Sequence, residues 1–145
     1  MLGKESYKTR EQAFVKHYVL EHYLERLAFK IGMSGAGYTL NYVDGFSGPW
    51  NQSDKQLLDT SPFIAIEKLR KTRSDLAAMK REFNFRCLLI ERESEPFKKL
   101  EAQAKAIQDA EIEPLQGDFE NLVAYASEFA LKGRRPFGFF FIDPT

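Results

Sequence analysis

The sequence is poor in the residues that most often announce a function. It has one cysteine, Cys87, and two histidines, His17 and His22. A single thiol excludes an internal disulfide framework and a cysteine-rich metal site. It stands inside Phe85-Arg86-Cys87-Leu88-Leu89-Ile90, where a buried, inert role is expected. Neither histidine has a cysteine or acidic cluster in register, so both are read as packing or surface residues, and no metal is expected. Charge of one sign is also lacking: 21 basic residues balance 21 acidic ones. No global positive field points to nucleic acid, and any such patch must be local. No run is long enough to span a bilayer, and residues 1–10 are too polar for a signal peptide. A cytoplasmic protein of bacterial type, with no membrane partner, is the default. Two nucleotide-binding signatures are missing as well, the G-x-G-x-x-G spacing and the Walker lysine.

What is present is a regular alternation of helix and strand. His17, Leu20, Leu24, Leu27 and Ile31 recur at helical spacing and predict a helix over 10–31, ended by Gly32, Gly35 and Gly37. Tyr38 to Val43 is an apolar run broken only by Thr39 and Asn41. Thr60-Ser61-Pro62, a hydroxyl cap followed by proline, opens a helix toward Lys71, with a charged connection or continuation to Glu82. Strands are predicted over 85–90, 111–115 and 137–142. Helices are predicted over 95–108 and 119–131, the second with Leu122, Tyr125, Ala126 and Phe129 inward. Four such alternations make the class α/β, with a parallel sheet of about four strands and helices on both faces.

The chain turns on Asp44-Gly45-Phe46-Ser47-Gly48, immediately after the first strand. Gly45 and Gly48 allow a backbone to approach a ligand closely. Glu91, Asp118 and Asp143 likewise follow the second, third and fourth strands. In a parallel sheet these ends share one edge, where ligands of open α/β sheets bind. A carboxylate after the first strand can hold an ammonium group, and Glu91 can accept from both ribose hydroxyls. Asp118 can accept from an exocyclic adenine amine, and Asp143, stiffened by Pro144, from a substrate amine. The competing reading is that such acids cap the helices that follow. The basic stretch Lys68, Arg70, Lys71, Arg73, Lys80 and Arg81, and the pair Arg134-Arg135, can be phosphate contacts or solvated helix faces.

Val43-Asp44-Gly45-Phe46-Ser47-Gly48-Pro49, Thr60-Ser61-Pro62-Phe63, Leu88-Leu89-Ile90-Glu91, Gln116-Gly117-Asp118 and Phe141-Ile142-Asp143-Pro144 form an ordered series. The series resembles the three-Cys-motif partner proteins, which are similar to class I S-adenosylmethionine-dependent methyltransferases acting on nucleic acids. The resemblance implies a Rossmann-like fold, with residues 1–37 an N-terminal helical segment and 38–145 an S-adenosylmethionine-binding half-domain. By the same resemblance Asp44, Gly45, Phe46, Ser47, Gly48, Glu91 and Asp118 hold the cofactor. Asp143 and the Pro144 carbonyl orient a nitrogen for methylation, and a three-Cys-motif protein and nucleic acid are the partners. The chain departs from the pattern at Trp50, at Thr60 and at Thr145, where the motif after Asp143-Pro144 is not continued. Class I methyltransferases carry about three more strands, so the sequence is expected to be the N-terminal part of a longer protein. The alternative is a non-catalytic partner subunit with a vestigial cofactor site. A dehydrogenase is disfavoured by the missing G-x-G-x-x-G.

Overall fold

A computed structural model describes residues 18–45 and 61–142. Each buried strand here is a run of apolar and β-branched or aromatic residues, and each connecting helix has an apolar stripe to lay on the sheet. A π-helical turn, Leu20–Leu24, leads into α1, Glu25–Ser34. Then follow β1, Tyr38–Asp44; α2, Ser61–Ala78; β2, Phe83–Glu91; α3, Ser94–Ala106; and β3, Glu111–Gln116. A 3₁₀ turn, Phe119–Leu122, precedes α4, Val123–Ala130, and β4 is Pro136–Phe141. The fold is α/β, with a four-stranded parallel sheet in the order β3-β2-β1-β4 and helices on both faces.

Alternation along the strands sorts the core into two halves. Leu40 and Tyr42 of β1 share a face with Phe85, Cys87 and Leu89 of β2, and there they pack with Leu24, Ala28, Ile66, Leu69 and Leu100. The opposite face is thinner: Val43, Leu88 and Ile90 pack with Ala126 and Phe129 of α4. Burial pushes the Cys87 thiol far up from its ordinary range, in keeping with an inert core residue.

Gly32 does not end the first helix, which continues to Ser34. A Cβ at Gly32 would stand 2.2 Å from Leu76 Cδ1, so this glycine is where α1 and α2 touch. Tyr125 is also not inward: it is exposed and its hydroxyl donates to Glu113 Oε2. Only Ala126, Phe129 and Ala130 of α4 are buried.

Two polar side chains inside the strands anchor α4. Asn41, fully buried, donates to the Ala130 carbonyl at 2.9 Å and the Lys132 carbonyl at 3.0 Å. Arg86 donates to Asn41 Oδ1 at 2.9 Å, the Phe129 carbonyl at 3.1 Å and Glu111 Oε2 at 2.7 Å, with its guanidinium over the Phe129 ring. These donors satisfy carbonyls that the end of a helix leaves without intrahelical partners, and the cation complements the helix dipole. Asn41→Ala is therefore expected to lower the free energy of unfolding by about 2–4 kcal/mol, read from the urea midpoint. A change below about 0.5 kcal/mol would mean that α4 does not depend on this anchor.

Candidate functional site

β1, β2 and β3 are neighbours and parallel, so their carboxyl ends line up along one edge of the sheet. Asp44 ends β1 and Glu91 ends β2. Asp44 pairs in register with Leu89, two residues before Glu91, so both acids point to the same face. That face is the one covered by α1, α2 and α3. Both carboxylates are buried, Asp44 fully and Glu91 with 9 % exposure. Such burial costs free energy unless hydrogen bonds offset it. Tyr42 supplies one, its hydroxyl donating to Asp44 Oδ2 at 3.0 Å. The Glu93 backbone N–H supplies another, donating to Glu91 Oε1 at 3.2 Å.

Asp118 lies two residues past β3, with a half-exposed side chain. It occupies the position where a capping residue would stand, at the start of the Phe119–Leu122 turn, yet its side chain makes no capping hydrogen bond. Arg92 lies beside it, with Nε 3.8 Å from Oδ1. The strand ends are tied by backbone bonds: Gly45 N–H donates to the Phe141 carbonyl and Gly117 N–H to the Glu91 carbonyl, both at 3.0 Å.

Phe119 was not among the site residues expected from sequence, where it served only to begin a helix. A Cβ on Gly45 would stand 3.1 Å from Phe119 Cδ1, so the ring lies across the end of β1 because residue 45 has no side chain. The signal was its place directly after Asp118. Its ring brings an apolar surface to the acidic strand ends.

The structure thus brings Asp44, Gly45, Glu91 and Asp118 to one edge. Phe46, Ser47, Gly48, Trp50, Thr60, Asp143, Pro144 and Thr145 lie outside the described residues, as does His17. His22 packs beside the Tyr18 ring at 4.4 Å. It lines a surface groove with Glu21, Glu25, Arg26, Phe29, Lys30 and Asp75, whose charges are mixed and to which no strand-end acid contributes. Among the described residues no group of three or more His, Cys, Asp or Glu could hold a metal ion. None of the helices described is long and apolar enough to cross a membrane.

The basic stretch of α2 is largely engaged by acids. Lys68 and Lys71 pair with Glu25 at 3.4 and 2.9 Å. Arg70 and Arg73 converge on Asp109 at 2.6 and 2.8 Å. The hydrogen bond from Arg70 holds the Asp109 carboxyl below its ordinary range. These contacts tie α2 to α1 and to the segment before β3.

What the fold and this edge define is a parallel α/β protein with a row of acids where such sheets bind ligands. Two buried, oriented carboxylates can accept from ammonium or hydroxyl groups, and a third, more exposed, can accept from a ligand's outer end. No protein-family model matches the chain, and no curated protein matches it.

Proposed function

We propose that this chain binds S-adenosylmethionine at the carboxyl edge of its sheet and belongs to a methyltransferase acting on a nitrogen of a nucleic-acid base. One observation carries the reading: three acids stand at the carboxyl ends of three adjacent parallel strands, Asp44 and Glu91 as the last residues of theirs and Asp118 two residues beyond, with Asp44 and Glu91 buried on one face. The motif series that resembles the three-Cys-motif partner proteins supports it. Asp44 receives the ammonium group of the methionine part, Glu91 the ribose hydroxyls and Asp118 the adenine amine. Asp143 and the Pro144 carbonyl orient the acceptor nitrogen toward the methyl carbon, with a three-Cys-motif protein as partner. Transfer is then an in-line displacement at that carbon, and positioning supplies most of the acceleration.

Calorimetry with S-adenosylmethionine, S-adenosylhomocysteine and NAD tests the proposal, with binding of the first two and not the third as the expected result. Glu91→Ala is expected to weaken S-adenosylhomocysteine by roughly 10- to 100-fold, the loss of a charge-assisted ribose contact. Unchanged affinity in this variant would remove Glu91 from the site.

A further inference from the structure

The hydroxyl of Tyr42 is a polar group within an apolar layer. Tyr42 stands two residues before Asp44 on the same face of β1, fully buried. Phe139, its register partner on β4, stacks on its ring with centroids 5.9 Å apart and an interplanar angle of 14°. Cys87 is its register partner on β2. Phe85, Phe139 and Phe141 fill the same apolar layer without any polar atom, and a phenylalanine at 42 would occupy nearly the same volume. A buried hydroxyl costs free energy unless it is bonded, and this one is bonded to Asp44 Oδ2 at 3.0 Å. Burial and the adjoining Asp44 charge hold the phenol well above its ordinary range. At neutral pH it is therefore a donor.

We propose that Tyr42 is a positioning residue that sets the orientation of the Asp44 carboxylate toward the ammonium group of a bound amino-acid nucleoside. The ring cannot swing away, because Phe139 and the sheet hold it, so the hydroxyl is a fixed point to which the carboxylate is registered. This role rests on the cofactor reading above and assigns to Tyr42 one end of the ligand only. Glu91 and Asp118 are on other strands and do not depend on it.

Two ligands separate that end from the rest. S-adenosylhomocysteine carries the amino-acid group; 5′-methylthioadenosine has the same thioether nucleoside without it. Tyr42→Phe is expected to weaken S-adenosylhomocysteine about tenfold while 5′-methylthioadenosine changes less than about twofold, both read by calorimetry. In an Asp44→Ala background, which removes the acceptor, the same substitution is expected to have no further effect on S-adenosylhomocysteine. Equal weakening of both ligands, or of neither, overturns the role. So does an undiminished effect in the Asp44→Ala background. A Tyr42→Phe chain that no longer folds, by circular dichroism, also overturns it, because the hydroxyl would then hold the fold rather than the ligand. A parent that binds neither compound overturns the cofactor reading itself, a result distinct from a parent that binds both.

Discussion

Asp143→Ala is expected to abolish methyl transfer while leaving the affinity for S-adenosylmethionine within about twofold. The separation follows from the roles proposed for Asp143 and Glu91. β4 lies beside β1 on the side away from β2, the strand that ends in Glu91. On the proposed reading Asp143 serves the acceptor and Glu91 the ribose. On that reading its loss would leave the cofactor contacts in place and would remove the group that orients the nitrogen lone pair. Misplacement on the order of 1 Å is enough to cost about a hundredfold in rate. Asp44→Ala is expected to act in the opposite order, weakening cofactor binding first. Labelled S-adenosylmethionine with total cellular RNA and DNA as acceptors gives the readout. Incorporation by Asp143→Ala at the parental rate would end the catalytic assignment. Cofactor binding without any incorporation by the parent would favour the partner-subunit reading, in which the fold docks a three-Cys-motif protein and transfers nothing.

The second large effect concerns the sheet edge. The 145-residue chain is expected to self-associate at micromolar concentration, and Phe140→Lys is expected to raise the concentration required by at least about a hundredfold. β4 forms one edge of the described sheet. Thr39 N–H donates to the Arg135 carbonyl and Gly45 N–H to the Phe141 carbonyl, so the odd-numbered residues of β4 turn their polar groups to β1. Gly138, Phe140 and Ile142 turn theirs outward. Phe137, Phe140 and Ile142 are about 40 % exposed. The other edge is protected, since β3 carries Glu111, Glu113 and Pro114, whereas β4 from Phe137 to Phe141 carries no charge. Uncharged, apolar edges template pairing with another chain, and a lysine on the edge opposes it. Covering one Phe side chain is worth about 1.5–3 kcal/mol, and a pair of copies covers two. Light scattering across a dilution series checks this; a monodisperse monomer over days would count against an active edge.

The alternation of strands and helices, and with it the parallel α/β class, was legible because apolar periodicity is a local property. The strand-end acids were legible for a related reason. An abrupt change from Leu88-Leu89-Ile90 to Glu91, or from Val43 to Asp44, marks the end of a buried run in the sequence itself. Asn41 and Arg86 read only as interruptions of apolar strands. Their purpose depends on the carbonyls of Phe129, Ala130 and Lys132, which come within reach only once α4 lies on the sheet. The basic stretch has one local acid, Glu67 on Arg70, but its other partners, Glu25 and Asp109, are about 40 residues away in either direction. Gly32 resembled a helix stop until Leu76 occupied the space a side chain would need. The Tyr42 hydroxyl gained its partner from the pleat, which sets residues 42 and 44 on one face, and lost its freedom to Phe139, brought alongside by the pairing of β4 with β1. Period and termination are decided by neighbours in the chain; the partner of a buried polar group is decided by which distant segments close upon it, and that choice exists only in the packed state.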